Sequence, residues 1–247
     1  MTDPVFGTLY GLGVGPGDPE LITLKALRIL TSVPVLAWPA PLEGESLARS
    51  IAAPHLDGHH IEIAIRMPMD VKRFPAQQVY DDAALTIADH LKAGRDVAVL
   101  CEGDPFFYGS FMYLFGRLSD RFPVEVVPGV SSLMATAAAT GAPLAARNDV
   151  LTILPAPLDE DVLIKRLEEI DAAAIIKIGR HLPKLRRALE VTGLMDQARY
   201  IGHATMGDRQ TVCALSDYPH ETAPYFSMVL VHRRRDAWIT GMGEAAE

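Results

Sequence analysis

Hydrophobic and polar positions along this chain recur with two different periods, and each period predicts one kind of element. Residues 97–100 are continuously apolar, which is typical of a strand buried on both faces of a parallel sheet. Residues 61–65 alternate isoleucine with other residues, as a half-buried strand does. Leu21, Leu24 and Leu27 recur at the spacing of one helix face. The pattern therefore predicts strands that alternate with amphipathic helices.

The same reasoning predicts the order of elements along the whole chain. In the first half it predicts strands at residues 8–12, 33–38, 61–65 and 97–101, a loop at 66–78, a helix from Pro19, and helices at 43–53, 81–93 and 110–118. In the second half it predicts strands at 124–127, 150–154, 173–178, 200–203, 210–215 and 225–232, a helix capped by Ser131 or Ser132, and helices at 159–170 and 183–191.

Alternation of strands and helices is typical of a mostly parallel α/β sheet, whereas the last two strands have no helix between them and predict an antiparallel finish. We therefore predict the α/β class, with two α/β domains at residues 1–120 and 121–247 joined by a linker at 119–123. The active site is expected in the cleft between the two domains, because domain interfaces often hold small-molecule sites.

Composition narrows the possible partners and location. The 247 residues are 49% hydrophobic and 22% charged, and the net charge of −8 gives no indication of a nucleic-acid partner. The two cysteines form neither a CxxC pair nor a zinc-binding spacing, which is typical of a reducing compartment. No apolar run approaches the roughly 20 residues of a membrane helix. The sequence predicts a cytoplasmic protein without membrane association.

Four glycines lie close together at the end of the first predicted strand and just after it, within Gly11–Gly17. The dinucleotide-binding pattern GxGxxG needs a glycine where Pro16 and Asp18 stand in the two possible registers. A Walker loop needs Lys and then Ser or Thr after its last glycine, where this chain has Asp18 and Pro19. Both nucleotide loops are excluded. The glycines either form only a tight turn or, as we expect, let a ligand approach the backbone closely.

Two further segments follow predicted strands. Glu102–Gly109 follows the buried strand at 97–101, and small ligands bind at this carboxyl edge of open α/β sheets. Val127–Ser132 begins at the last residue of the strand at 124–127 and continues beyond it. Together with Gly11–Ala26, these segments resemble in order and spacing the motifs of the tetrapyrrole (class III) methyltransferases of cobalamin and siroheme synthesis.

The resemblance covers essentially the whole chain, and it implies S-adenosylmethionine as methyl donor, a small-molecule tetrapyrrole substrate and a homodimer. Within the family, the branch that methylates C20 of precorrin-2 to give precorrin-3A is most similar, on the residues Leu9–Gly17, Glu45–Ala48, Glu102 and Phe106–Tyr113. Siroheme-type relatives have a proposed acid–base aspartate on the second strand. This chain has Trp38–Pro41 there, which argues against the siroheme reaction.

The resemblance also implies which residues bind the donor. The predicted cofactor-binding residues are Pro16, Glu102, Gly103, Asp104, Phe107, Ser131, Ser132, Ile178 and Ala204. Some of them have an alternative interpretation from the residues alone. Asp104 can cap a turn before Pro105, Phe107 can be a core residue, and either serine can cap the following helix.

Methyl transfer from a sulfonium is an in-line displacement, so the protein mainly aligns sulfur, methyl and the attacking carbon. It requires no metal and no nucleophilic side chain, and none is predicted. A meso carbon that gains a methyl must afterwards lose its proton to restore the hydrogen count. The predicted catalytic residues for this step are Glu102 and Tyr108. His203 is a third option that is more typical of a structural histidine.

An octacarboxylate tetrapyrrole needs cations in its site. Arg147 is the predicted carboxylate contact, and Gly13 and Gly15 are predicted to approach the substrate through their backbone. Further basic candidates, with an exposed helix face or turn as the alternative, are Lys177, Arg180, His181, Arg186, Arg187 and Arg233–Arg235.

The residues leave several functions possible beside C20 methylation of precorrin-2. One is methylation of the cobalt-containing substrate of the anaerobic route, and another is methylation at C17 of a later precorrin. A diphthine-type enzyme of the same family would modify a protein side chain. A non-catalytic tetrapyrrole carrier with the same fold belongs to a different class altogether.

Overall fold

The computed structural model of the protein describes residues 5–67 and 77–234. The chain divides into two compact units, one ending at Ser132 and the other starting at Leu133. Each unit holds a five-stranded sheet with helices, so the predicted α/β class with two α/β domains is confirmed. Most of the loop predicted at residues 66–78 lies outside the described residues, as does Arg235.

The first unit is built around a parallel sheet. Its strands are β1 Leu9–Gly13, β2 Val35–Pro41, β3 Ile61–Met67, β4 Val97–Cys101 and β5 Val124–Val127. Its helices are α1 Leu24–Leu30, α2 Leu47–Ala52, α3 Gln77–Lys92 and α4 Phe111–Leu118. The strand order is β3-β2-β4-β1-β5, and all four pairings are parallel.

Successive residues of β4 face two separate layers of helices. Val97 and Val99 pack in the hydrophobic cluster that contains residues of α3 and α4. Ala98 and Leu100 pack in the cluster formed with α1 and α2. Because β4 is buried on both faces, every position in it must be apolar, which explains the unbroken hydrophobic run in the sequence.

The division between the units lies later than the sequence predicted. The prediction placed the boundary near residue 120, but β5 pairs in parallel with β1, from Leu9 opposite Val124 to Leu12 opposite Val127. This pairing makes β5 the last strand of the first sheet and moves the division to the residues after it. Sequence patterning shows that a strand exists but does not show which sheet it joins.

The second unit combines parallel and antiparallel strands. Helix α5, Ser132–Thr140, begins at the boundary. The strands are β6 Leu151–Pro155, β7 Ala172–Ile176, β8 Ala198–Gly202, β9 Thr211–Ala214 and β10 Ser227–His232, and the remaining helices are α6 Glu160–Glu168 and α7 Leu182–Val191. The strand order is β6-β7-β10-β8-β9, with β10 antiparallel to both of its neighbours, so the predicted antiparallel finish is confirmed.

Several elements start or end a few residues from their predicted bounds, and two of these differences have a clear local reason. The helix predicted from Pro19 is interrupted: a single 3-10 turn, Pro19–Leu21, is followed by extended backbone, and Thr23 accepts the Ala26 N–H at 3.2 Å to begin α1. Strand β2 continues to Pro41 instead of ending at residue 38. Beyond Ala37 it pairs with β3 alone, so its prolines break no bond to β4.

Within the described parts of the chain, no helix is both long and apolar enough to cross a bilayer.

Candidate functional site

The three sequence motifs meet at one edge of the first sheet. Strands β4 and β5 are the two neighbours of β1, with Gly13 opposite Cys101 and Leu12 opposite Val127. All three strands are parallel, so their carboxyl ends lie at the same edge of the sheet. One motif follows each strand at that edge: the glycine loop after β1, Glu102–Gly109 after β4, and the residues after Val127 at the end of β5. Ligands bind at this edge in open α/β sheets, so the arrangement is that of a binding site.

Three glycines, one from each motif, bring the three backbones into direct contact. A Cβ atom on Gly13 would lie 2.5 Å from the Gly129 Cα and 2.7 Å from the Gly103 carbonyl oxygen. A Cβ on Gly129 would lie 2.0 Å from that same oxygen. All of these neighbours are backbone atoms, which cannot rotate away as a side chain can. Glycine is therefore required at 13 and 129 for the motifs to approach one another.

Hydrogen bonds between the first two motifs extend the sheet beyond β1 and β4. The Gly103 N–H donates to the Gly15 carbonyl at 2.7 Å, and the Val14 N–H donates to the Cys101 carbonyl at 2.9 Å. Gly15 and Gly103 both have left-handed backbone, with φ of 81° and 65°. The turn explains Gly15 and the close approach of the motifs explains Gly13, and the contact of both glycines with substrate stays a prediction.

Asp104 joins the second motif to the third. One of its carboxylate oxygens, Oδ1, accepts the N–H groups of Phe106 at 2.9 Å and Phe107 at 3.1 Å. The other, Oδ2, accepts the Gly129 N–H at 3.1 Å. The structure therefore supports the turn-capping interpretation of Asp104: its side chain shapes the loop on which the predicted donor contacts lie.

The turn that Asp104 caps presents an aromatic pair. Phe107 is partly buried and belongs to neither of the hydrophobic clusters of the first unit, which leaves the core interpretation unsupported. Its ring stands edge-on to that of Tyr108, with centroids 5.1 Å apart. Tyr108 is 48% exposed and has a φ of 55°, a left-handed conformation that is rare outside glycine and is often found at functional sites.

Glu102 lies partly buried beside the start of helix α2. Its Oε1 accepts the Ala48 N–H at 3.3 Å. Burial is the largest influence on this side chain and raises the pKa of its carboxyl above the ordinary glutamate value, while the Ala48 N–H opposes that shift. A carboxylate with a raised pKa accepts a proton more readily, which is the property that a general base needs.

The contact of Glu102 with Ala48 was not foreseen in the sequence. Glu45–Ala48 and Glu102 were both among the residues that resemble the C20-methylating branch, yet 54 positions separate the two bonded residues. Ser46 holds the segment in place, because its Oγ donates to the Pro39 carbonyl at 2.6 Å and accepts the Arg49 N–H at 3.4 Å. The one sequence signal for this contact was that Ala48 and Glu102 both belong to the residues that resemble the C20-methylating branch.

The second unit has its own candidate edge, at the carboxyl ends of β7 and β8. Both strands are antiparallel to β10, so both end at the same edge, next to Met228 and Ser227. Directly after them, Lys177, His203 and Thr205 have left-handed backbone with φ of 57°, 51° and 65°. Such strain costs roughly 1–3 kcal/mol per residue and clusters at functional sites.

The predicted donor contacts of this unit, Ile178 and Ala204, each follow one of these strained residues. Ala204 is partly exposed. The Ile178 side chain is fully buried in the hydrophobic cluster of the second unit. That side chain belongs to the core, so a contact between Ile178 and the donor would be made through its backbone, and its donor role stays a prediction.

The basic candidates separate into two groups. Arg147 is exposed, with a φ of 51°, in a turn in which Asp149 Oδ2 accepts the Ala146 N–H at 2.8 Å. The second group has structural partners, whereas the alternative interpretation expected an exposed helix face or turn. Arg186 donates to the Tyr218 carbonyl, Arg187 pairs with Glu160 at 2.7 Å, and Arg233 donates to the carbonyls of Leu167, Glu168 and Ile170 at 2.9 Å.

The remaining predicted contacts are placed as follows. Pro16 is buried within the glycine loop, Ser131 is partly buried and directly precedes α5, and Ser132 is exposed as the first residue of that helix. His203 donates its backbone N–H to the Phe226 carbonyl at 2.7 Å. The donor and substrate roles of these residues stay predictions.

Comparison with known proteins gives a consistent result. Residues 8–218 match the family model of the tetrapyrrole (corrin/porphyrin) methylases. A precorrin-2 C(20)-methyltransferase of Sinorhizobium sp. is 41% identical over 238 residues, which cover 93% of this chain and 97% of that protein. A cobalt-precorrin-2 C(20)-methyltransferase of Salmonella typhimurium is 30% identical over 92% of this chain and 97% of its own length.

A solved structure shares the fold. The uroporphyrin-III C-methyltransferase of Thermus thermophilus, crystallised in complex with S-adenosyl homocysteine, superposes with a TM-score of 0.67. The alignment covers 96% of each chain at 22% sequence identity.

Replacement of Gly129 by alanine is expected to lower the free energy of unfolding by about 1–3 kcal/mol or more, because the new Cβ overlaps the Gly103 carbonyl. Denaturant titration measures this effect. Gly116→Ala is the matched control: it lies in α4 with no atom near its added Cβ, and it is expected to stabilise by about 0.5–1 kcal/mol. Equal stability of the Gly129→Ala protein and the unmodified protein would contradict the close contact.

Glu102→Gln is expected to raise the unfolding temperature at neutral pH. The folded-state pKa of Glu102 is raised, so its ionised form destabilises the fold above that pKa, and the cost disappears once pH falls below the unfolded value of about 4.3. Glutamine keeps an oxygen that accepts the Ala48 N–H. Thermal unfolding across this pH range measures the difference, with exposed Glu221→Gln as control. A lower unfolding temperature at neutral pH would contradict the assignment.

Proposed function

Because the chain belongs to the tetrapyrrole methylase family, we propose that it transfers the methyl group of S-adenosylmethionine to C20 of precorrin-2, giving precorrin-3A in cobalamin biosynthesis. The observation that carries the proposal is the 41% identity to the Sinorhizobium C20-methyltransferase over 97% of that protein's length. The convergence of three family motifs at one sheet edge supports it.

The donor supplies a sulfonium-activated methyl group, so the work of the protein is positioning. We assign donor binding in the first unit to Pro16, Glu102, Gly103, Phe107, Ser131 and Ser132, with Asp104 holding the loop through its three bonds to backbone N–H groups. In the second unit the donor contacts are Ala204 and the backbone of Ile178. Carboxylates and an aromatic ring suit the hydroxyls, the cationic sulfur and the purine of this donor.

Proton removal completes the reaction. When the methyl carbon bonds to C20 and the bond from sulfur to methyl breaks, C20 becomes tetrahedral and holds both the methyl group and its original hydrogen. Ionised Glu102 takes that proton, and the electron pair of the C–H bond returns to the macrocycle. The burial that raises the pKa of Glu102 suits it to this step. Tyr108 is exposed and lies near Phe107, and it is the second residue that we assign to removal of the C20 proton.

The substrate carries carboxylates around its rim. Arg147 is exposed and permanently charged, which suits it to bind one of them. The backbone at Gly13 and Gly15 is the proposed contact with the macrocycle. We also propose that the protein acts in the cytoplasm, as its cysteine spacing predicts, and that it is a homodimer, as the family resemblance implies.

A second substrate has one specific observation in its favour. The Salmonella relative that is 30% identical is named for the cobalt-containing form of the same substrate. The higher identity to the Sinorhizobium protein favours the metal-free substrate. Both forms accept the methyl at the same carbon, so the site chemistry derived above applies to either.

Anaerobic incubation with S-adenosylmethionine and either metal-free or cobalt-loaded precorrin-2 tests the proposal. We expect one added methyl by mass, located at C20 by nuclear magnetic resonance, with faster turnover of the metal-free substrate. Faster turnover of the cobalt form would instead assign the anaerobic route. Donor binding without methylation of either form would overturn the C20 assignment and favour another precorrin or a carrier, and absence of donor binding would overturn methyl transfer itself.

Glu102→Gln is expected to lower kcat by about 100-fold or more and to weaken methyl donor binding much less, because the amide keeps one acceptor oxygen for the donor. The amide cannot take up the C20 proton, but it keeps the acceptor for the Ala48 N–H. Calorimetry with S-adenosylmethionine and steady-state kinetics measure the two quantities, with Glu221→Gln as control. A large loss of donor affinity with unchanged kcat would mean that Glu102 binds the donor but does not act as the base.

A further inference from the structure

A second cluster of chemically active side chains lies in the first unit, away from the motif edge. Asp57, His59 and His60 occupy the turn that leads into β3. Each offers one ligand-type atom, and these atoms all lie within 4.8 Å of one another. A set of two imidazoles and one carboxylate at this spacing has the composition of a transition-metal site.

The His60 ring makes the kind of hydrogen bond that is typical of a metal-ligating histidine. Its Nε2 lies 2.9 Å from the Leu30 carbonyl oxygen, which only accepts, so Nε2 carries the hydrogen and Nδ1 keeps its lone pair. This Nδ1 is shielded from solvent and has no hydrogen-bond partner within the described residues. Metal-ligating histidines typically donate their other ring N–H to a carbonyl in this way, which fixes the tautomer.

The other two members fold back onto His60. Gly58 has a φ of 84°, a turn conformation that brings His59 into contact with Asp57. The Nδ1 of His59 meets the Oδ1 of Asp57, and the His59 ring lies over the His60 ring with centroids 3.8 Å apart. A Cβ on Gly58 would have no atom within 4 Å, so the backbone of this turn is not crowded by other residues.

We propose that Asp57, His59 and His60 bind one divalent transition-metal ion of the zinc class. Two imidazole nitrogens and a carboxylate oxygen suit zinc, cobalt, nickel or copper, whereas magnesium and calcium prefer oxygen ligands throughout. A tetrahedral ion held by three protein ligands has a fourth position for water or for a group from outside the chain.

The ion would stabilise the turn and take no part in methyl transfer. The cluster precedes Ile61, the first residue of β3, whereas the family motifs follow the carboxyl ends of parallel strands. At about 3.3 Å per residue, the length of β3 alone puts roughly 20 Å between these two edges. The bond from His60 to Leu30 at the end of α1 would tie the bound ion to the helix layer.

Zinc titration of chelator-treated protein tests the site. We expect one Zn²⁺ per chain by equilibrium dialysis, with affinity reduced at least about tenfold in His59→Ala, His60→Ala and Asp57→Asn. His55→Ala is the matched control, because that imidazole also lies against a backbone carbonyl, of Pro19, but outside the cluster. At the same concentration, zinc is expected to raise the unfolding temperature of the unmodified and His55→Ala proteins more than that of any of the three cluster variants.

Two further measurements separate the possible outcomes. Co²⁺ in place of Zn²⁺ should give the intense visible absorption of a tetrahedral site in the unmodified protein, and none in His60→Ala. S-adenosylmethionine affinity should be equal in all variants, which shows that each is folded; Asp57→Asn alters an exposed side chain and guards against a folding defect in His60→Ala. No bound zinc, or equal zinc affinity in the cluster variants and the control, would overturn the proposal.

Discussion

The contact among Gly13, Gly103 and Gly129 is the constraint on which the candidate site of the first unit depends. Three loops leave three adjacent parallel strands, and their backbones meet at distances that no Cβ at positions 13 and 129 could tolerate. Hydrogen bonds then fix the loops: Gly103 to Gly15, and the Asp104 carboxylate to Gly129. The predicted donor residues of this unit are thus carried on one rigid edge, as precise alignment of a methyl donor requires.

Two neighbouring carboxylates illustrate how surroundings assign different roles to similar side chains. Asp104 accepts three backbone N–H groups and organises its loop. Glu102 is also partly buried and its Oε1 accepts the Ala48 N–H, but burial dominates its raised pKa. The proposed division of labour follows: Asp104 keeps the loop in shape, and Glu102 is poised to take a proton.

The second unit combines a well-packed core with strained backbone at one edge of its sheet. Its helices α6 and α7 pack into a single hydrophobic cluster with the sheet, and Ile178 is part of that core. The edge at the ends of β7 and β8 holds Lys177, His203 and Thr205 in a strained left-handed backbone. A well-packed sheet that holds strained residues at one edge is how folds commonly sustain costly geometry at a binding site.

The sequence by itself determined the α/β class, the order of most elements and the three motifs, because periodicity and turn chemistry are local properties. Only the tertiary structure decided that β5 completes the first sheet, that Glu102 meets Ala48, and that Asp104 binds Gly129, since these pairings join distant residues. It also buried the Ile178 side chain. The same limit applies to His60. Its proposed role as a metal ligand depends on a hydrogen bond to the Leu30 carbonyl, and a contact across 30 positions cannot be seen in any local sequence pattern.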